Sequence, residues 1–380
     1  MKYRKLVFIG MLILAFVFVY GQPIVYPLYS SQFVSPAIQP QTNTQQHLKS
    51  TNLTYETIPS SGFANYIGKN FDTLQANYGE PVETISTGYS YDIHLYNVTK
   101  ESGYMEVSTI DQKIVGIKLI EPKEKEIEPF KNGMTMNQLT KVTMIYPNFT
   151  MKYENQLVNI ELSEEDMNYR PLIGFDNGSF VILFFDQNTS KLYSMMYLSE
   201  ELLLRLLPYA TSGEVLPNFV EEKEADWQDL NTKKAQFARN SLTILRKREQ
   251  LHSYMANSEL QATTNNMLAD FLAHPEDSLT TQRVQLLQRI RTGQTKDHFI
   301  LNDEEMGALM QKYSLSQTQG YLELPVYDPT FTLLSWYSNS FLHQKYMQEK
   351  DESLGIAFSK ENMLVLLKEK QNTSKESNEP

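Results

Sequence analysis

The sequence predicts an α+β protein: two helix-plus-antiparallel-sheet repeats in tandem, followed by a helix-rich final third. Three observations carry this. A segment recurs: IGKNFDTLQANYGEP at 67–81 is echoed by NGMTMNQLTKVTMIYP from Asn132, with the Gly68-to-Leu74 spacing returning as Gly133 to Leu139, about 65 residues on. Alternating or continuous apolar runs follow each copy, as strands require. Beyond the charged stretch Glu221-Glu-Lys-Glu-Ala-Asp226 the texture changes to amphipathic helices.

The elements are read in chain order. In the first repeat Asn70 is the expected N-cap of a helix carrying Phe71, Leu74 and Tyr78, stopped by Gly79-Glu-Pro81. Tyr89, Tyr91, Ile93 and Leu95 alternate with polar residues and predict a half-buried strand. Residues 104–110 and 114–120 flank Asp111-Gln112, a hairpin signal, and 121–129 is a charged connector. In the second repeat Thr135 and Gln138 form a capping box and Pro147 ends the helix. Residues 180–185 and 192–198 predict strands around the turn Asp186-Gln-Asn-Thr189, and 199–207 a short helix closed by Pro208. Helices are expected over 237–248, 260–272 and 281–290, and one continuous helix over 331–347. Residues 354–358 and 363–367 read as two strands or as a strand and a helix. The tyrosines of the strands (89, 91, 96, 104, 193, 197) are expected in core and sheet packing, with carbohydrate stacking as the sharper alternative.

The chain has 380 residues, no cysteine, and a net charge of −11. Room exists for two or three domains. Disulfides, thiolate nucleophiles, zinc–cysteine sites and cysteine lipidation are excluded. The acidic balance argues against nucleic acid, whose phosphates demand a basic footprint. Lys2, Arg4 and Lys5 precede the uncharged run 6–20, so residues 1–21 are a signal peptide or membrane anchor. Val19 and Gly21 make a poor cleavage site, which favours retention, and the basic residues keep the remainder outside. Residues 22–61, rich in Pro, Gln, Ser, Thr and Asn, read as a flexible stalk. The tandem module spans 62–210, in repeats 62–128 and 129–210. Then come a linker, 211–236, a final domain, 237–368, and a polar, disordered tail, 369–380.

The tandem region resembles the CAP-associated N-terminal domain of Gram-positive bacteria. The residues that carry this are the two G-x-[NT]-x-x-x-L helix starts, Gly79-Glu-Pro81, the block from Pro171 to Gly178, Phe185-Asp186, and Leu203 through Pro208-Tyr209. In that family the module precedes a CAP domain, the superfamily of cysteine-rich secretory proteins, antigen 5 and pathogenesis-related proteins. The final third is similar to a degenerate CAP domain of α-β-α architecture. Leu260, Ala269, Asp270 and Phe271 fall at the spacing of the family's L-x-x-x-A-x-x-H-A-x-D-M helix, with Met267 in place of its histidine. Ser340-Phe-Leu-His343 is similar to S-P-G-H, with Trp336 one residue too far upstream, and Leu354-Gly-Ile-Ala357 resembles the I-G-V-G strand. Glu323 stands where the family has its G-E-N glutamate, and no H-T-S-x-D-G loop is recognisable.

The resemblance implies a cleft that gathers histidines and carboxylates, a set suited to a divalent metal. Three candidates answer to it here: His343, Glu323 and His274. Each has a plainer role: a helix histidine bonding locally for His343, an exposed loop carboxylate for Glu323, a C-terminal cap for His274. On that plainer reading, alanine at 343 or 323 changes stability little. No catalytic residue, metal site or cofactor is assigned. G-x-S-x-G, H-E-x-x-H, Walker and Rossmann patterns are all missing, and Gly174-Phe-Asp-Asn-Gly178 reads as a turn rather than a calcium loop. The expectation is a non-enzymatic, extracytoplasmic protein, anchored or secreted, that binds an envelope protein, wall polymer or lipid. The alternative is a metal-dependent hydrolase or protease using His343 and Glu323. Convergence of these two with a third ligand in one cleft separates the readings.

Overall fold

The repeat seen in the sequence is a repeat of backbone geometry. Gly68 and Gly133 both take a left-handed φ, +83° and +76°. Each then docks onto a strand of its own repeat: Gly68 N–H donates to Ile114 O and Gly133 N–H to Leu192 O, both at 2.8 Å. A residue with Cβ is strained at such φ, which is why glycine opens both copies. The computed structural model describes residues 55–97, 104–122 and 126–369. The expected signal or anchor, most of the expected stalk and nearly all of the tail lie outside the described residues. No helix among those described is long and apolar enough to cross a membrane.

In the first repeat a short helix, α1 (Asp72–Tyr78), leads into β1 (Glu83–Ser86), β2 (Asp92–Asn97), β3 (Tyr104–Ile110) and β4 (Lys113–Ile120). The β3–β4 turn places Asp111 and Gln112 at φ +48° and +62°, as a two-residue hairpin needs. In the second, α2 (Met136–Leu139) is followed by a hairpin, β5 (Asn148–Tyr153) and β6 (Gln156–Glu161). Then come α3 (Glu164–Tyr169), β7 (Leu172–Gly174), β8 (Phe180–Phe185), β9 (Leu192–Leu198), α4 (Glu200–Leu206) and β10 (Ala210–Ser212). The two repeats fuse by pairing β4 with β9, giving one antiparallel seven-stranded sheet in the order β1-β2-β3-β4-β9-β8-β7.

Both faces of this sheet are covered, so β8 and β9 are buried along their whole length and read as continuous apolar runs. One face packs Val107, Ile117, Val181 and Tyr197 against Phe63, Leu74 and Leu139. The other packs Ile182, Phe184 and Met196 against the β5–β6 hairpin, against α4, and against Leu245, Phe331, Leu334 and Tyr337 of the final third. The expected tyrosine packing holds: Tyr89, Tyr91, Tyr96, Tyr193 and Tyr197 are buried, and Tyr104 is partly buried against the core.

The final third is a sandwich. Its helices are α5 (Trp227–Arg248), α6 (Ser258–Ala273), α7 (Thr281–Arg291), α8 (Asp303–Gln311), α9 (Pro329–Tyr337) and α10 (Ser340–Tyr346). Its strands are β11 (Phe299–Ile300), β12 (Thr318–Leu324), β13 (Asp351–Ser359) and β14 (Asn362–Glu369), in the order β11-β12-β14-β13. One face buries Leu260, Met267 and Phe271 of α6; the other buries Ala238 and Leu242 of α5 with Leu333 and Trp336 of α9. A Cβ on Gly355 of β13 would stand 2.1 Å from Thr264 Oγ1, so glycine there lets α6 lie close on the sheet.

Several expectations shift. The helix expected over 331–347 is two, because Asn339 accepts from Leu342 N–H at 3.0 Å and starts α10 afresh. The strand expected from Tyr89 begins at Asp92. Within the expected linker, α5 already starts at Trp227, capped by Asp226. The end of the expected stalk is docked: Tyr55 is buried, Ile58 N–H donates to Gly174 O at 3.0 Å, and Ser60 N–H to Asp176 at 2.9 Å. That contact holds Gly174–Gly178 as the expected turn, with Asn177 donating to Ala64 O at 2.8 Å.

The tandem region and the sandwich meet through buried contacts, and the described residues form one compact unit. Lys118 of β4 reaches Asp328 at the head of α9, both fully buried. Arg248 at the end of α5 reaches Asp186 in the β8–β9 turn, and Tyr337 donates to the same carboxylate at 2.9 Å. Burial alone would raise the Asp186 pKa, but Thr189 N–H, the Tyr337 hydroxyl and Arg248 hold it down to about 2.

Candidate functional site: the module junction

His343 is carried on α10 and is buried. Its Nδ1 lies 2.8 Å from Tyr337 O, and its Nε2 lies 3.0 Å from Asn188 Nδ2, in the β8–β9 turn. A carbonyl oxygen only accepts and an amide nitrogen only donates. Nδ1–H therefore donates to Tyr337 O and Nε2 accepts from Asn188, so both ring nitrogens are engaged. A metal or a substrate proton would have to displace Asn188. The local bonding expected of this histidine is present, and it also ties the sandwich to the tandem region.

Glu323 departs from expectation. It is a buried strand carboxylate on β12, not an exposed loop group. Its Oε2 accepts from Trp336 Nε1 at 2.8 Å and its Oε1 lies 3.2 Å from His298 Nδ1. The register Ile300↔Glu323 explains this: β11 pairs beside it and delivers the preceding His298 to its side. His274 follows α6 at its C-cap, exposed, 3.4 Å from Glu276. His343 and Glu323 are tied to neighbouring residues of α9, Tyr337 and Trp336, but bond to different partners. Among the described residues, no group of three or more His, Cys, Asp or Glu side chains is placed to hold a metal.

His298 is the residue that sequence reasoning missed. It precedes a two-residue strand, too short to show any alternation, and nothing near it in the chain marks it.

His298 also opens onto a cleft at the junction. A cavity of about 330 Å³ lies between the segment after α4 and the loop after α7, with Arg205, Phe219, Arg291, Lys296, His298 and Tyr327 on its wall. A second of about 660 Å³ shares Leu207, Gly293, Thr295, Lys296, Asp297 and His298 with it, so the two form one cleft. Lys296 Nζ donates to Leu216 O and Pro217 O, each at 3.0 Å, and partial burial lowers its pKa. Burial acts the same way on Arg291. Arg205 donates to Glu201 at 2.6 Å and lies over the Phe219 ring at 5.7 Å. Asp297 and Glu361 are the carboxylates of the smaller cavity, and Glu361 already accepts from Tyr89. The larger cavity adds Asp166 and Glu214, so the cations gather in the smaller cavity and the cleft as a whole carries both signs.

Comparison with known proteins agrees with this architecture. The CAP-associated N-terminal family model matches residues 67–209, nearly the whole tandem region. The whole fold is shared with CAP-type proteins of Gram-positive bacteria. A cysteine-rich secretory protein from Staphylococcus aureus subsp. aureus Mu50 superposes with a TM-score of 0.61 at 17% identity, covering 83% of this chain and 98% of that one. An extracellular protein containing an SCP domain from Bacillus anthracis str. Ames gives 0.60 at 16%, covering 86% and 100%. Among curated proteins, the uncharacterized membrane protein YlbC of Bacillus subtilis (strain 168) is 27% identical over 178 residues, 46% of this chain. The chain spans about half the length of that relative.

Proposed function

We propose that this chain is a non-enzymatic binding protein of the extracytoplasmic cell envelope, and that its partner's acidic groups enter the cleft between the two modules. One observation carries the reading. His343 and Glu323 are both spent inside the fold, while Arg291 and Lys296 face an open cleft. The Bacillus subtilis relative described as a membrane protein and the neighbour described as extracellular support the location. The apolar run 6–20 behind Lys2, Arg4 and Lys5 supports retention at the membrane. An acidic wall polymer suits the smaller cavity, where Arg205, Arg291 and Lys296 outnumber Asp297 and Glu361 and cations beside low-dielectric walls attract anions.

Co-sedimentation of the purified chain with wall sacculi, with vesicles of anionic lipid and with envelope protein extract tests it. Retention by sacculi, weakened by salt and by Lys296→Met with Arg291→Gln, is the expected result. Capture by vesicles or protein alone would replace the wall polymer with that partner. Stoichiometric zinc with hydrolysis that His343→Ala abolishes would establish the hydrolase alternative instead.

A further inference from the structure

Among the described residues, side chains meet the outer edge of the sandwich sheet at Leu354, Ile356 and Lys360 but not at Phe358. β13 borders that sheet, and its partner β14 follows after the two-residue turn Lys360-Glu361. The register Ser359↔Asn362 makes 359, 357 and 355 the residues whose backbone groups bond to β14. Residues 354, 356 and 358 therefore turn theirs outward. Leu354 O accepts from Arg239 at 2.9 Å. Ile356 donates to Gln261 Oε1 at 3.2 Å and accepts from Gln261 Nε2 at 2.7 Å, so this carboxamide pairs with the strand as a neighbouring peptide unit would. Past the strand end, Lys360 N–H donates to Asn231 Oδ1 at 2.9 Å and its carbonyl accepts from Lys234 at 3.1 Å. Between these closures, no side chain of the described residues meets the outward N–H and C=O of Phe358.

At that position a groove of about 530 Å³ opens between α5 and α6, with Phe358 in its wall and the exposed Thr232, Gln236 and Asn265 at its rim. We propose that this groove binds a ligand bearing a secondary amide, which completes the edge by accepting from Phe358 N–H and donating to Phe358 O. Three features fix the chemistry. Backbone donors and acceptors at a sheet edge are matched by a group offering one of each, as in strand addition. Gln261 already makes that bidentate match two residues earlier on the same strand. The rim is neutral and polar, and its cation, Arg239, is engaged with Leu354 O and Gln261, so a charged ligand gains nothing. Two sources offer the group: the acetamido substituent of an N-acetylated sugar and the peptide bond of an extended chain. This site is separate from the junction cleft and stands or falls without it.

Amide-resolved NMR of the intact chain tests the proposal, with N-acetylglucosamine and N-acetyl-alanyl-alanine methylamide as probes and glucosamine as the control lacking the amide. The Phe358 N–H and Gln261 side-chain signals should shift with an amide probe and stay put with glucosamine. The probe that saturates at lower concentration identifies the source. Gln236→Trp, at an exposed position, should fill the groove and weaken binding at least about tenfold while the remaining spectrum is unchanged. In the free protein the Phe358 amide should exchange with solvent faster than the Ala357 amide. Equal protection of the two amides, or no shift at Phe358 with either probe up to its solubility, would overturn the proposal. So would unaltered binding in Gln236→Trp.

Discussion

Lys118 of the tandem module and Asp328 of the sandwich form a buried ion pair across the junction, and Glu106 joins it from β3 at 2.6 Å from Lys118. Burial pulls the ammonium towards neutrality, but the two carboxylates more than reverse this, and its pKa is raised. Removing the cation leaves two buried carboxylates facing each other. Lys118→Met should cost about 3–5 kcal/mol, the range for breaking a buried pair. Urea denaturation measures it. Adding Glu106→Gln to Lys118→Met should recover part of the loss, since one of the stranded charges is then gone; no recovery would mean the carboxylates find other partners.

The shared core predicts cooperativity. Phe331, Leu334 and Tyr337 pack in the same cluster as Phe184, Tyr193 and Leu202 of the tandem module. Unfolding either module exposes apolar surface on the other. We expect one transition, with far-UV circular dichroism and tyrosine fluorescence coinciding. Two resolved transitions would mean that residues 62–210 and 237–368 are energetically independent.

His343→Ala should now be costly. The sequence suggests a tolerant surface position, but the side chain is buried and both nitrogens are bonded. Truncation leaves Asn188 and Tyr337 O without their partner and opens a void, a loss on the order of 2–4 kcal/mol. Glu323→Gln should cost less, because an amide oxygen can still accept from Trp336. Thermal unfolding of the two variants decides; a His343→Ala change below about 0.5 kcal/mol, the surface range, would contradict the burial argument.

Local signals and long-range contacts explain what the sequence did and did not reveal. Capping and turn residues act within a few positions, so the Gly68 and Gly133 starts, the Asp111-Gln112 hairpin and the Ser199-capped α4 were legible. Two missed elements had local marks: Asn302 with Glu305 is a capping box that opens α8, and Glu154-Asn155 is a turn with both φ positive between β5 and β6. The environment of Glu323 had none. Its burial depends on β11 pairing with β12, a contact between segments more than twenty residues apart that no local pattern encodes. The junction cleft is likewise built from 205–219 and 291–298, whose proximity is set by the shared core.

His94 should make the protein acid-sensitive. It is buried on β2, stacked on Phe71 at 4.0 Å, with its nitrogens 2.8 and 2.9 Å from the hydroxyls of Thr84 and Thr109. Burial lowers its pKa to about 4 from 6.5. Between these values the unfolded chain holds a proton that the native state does not. The His94 contribution is full above about pH 6.5 and falls towards pH 4, by at most ~1.4 kcal/mol per unit. His94→Gln should flatten that slope in urea titrations; an unchanged slope would assign the acid loss to carboxylates.

Lys234 should act at the alkaline end with the same sign. Its ammonium is buried in α5, donates to Lys360 O, and lies 4.8 Å from the Tyr89 ring centre and 5.5 Å from that of Trp227. Burial lowers its pKa to about 8 from 10.5, against a partial upward pull from Glu361 and Asp328. Below about pH 8 both states are protonated and nothing changes. Above it the native state sheds the proton first, while the unfolded chain keeps it to about 10.5, so stability rises with pH. The buried tyrosines oppose this only near and above pH 10, because their native pKa values are raised and their contribution is lost as the unfolded phenols ionise. The clean window is therefore about pH 8 to 9.5, with a slope of at most ~1.4 kcal/mol per unit from this lysine. Lys234→Met keeps the stem against Tyr89 and Trp227 and removes the titration. It should abolish the rise, and a rise that survives in Lys234→Met would show that the proton is released elsewhere.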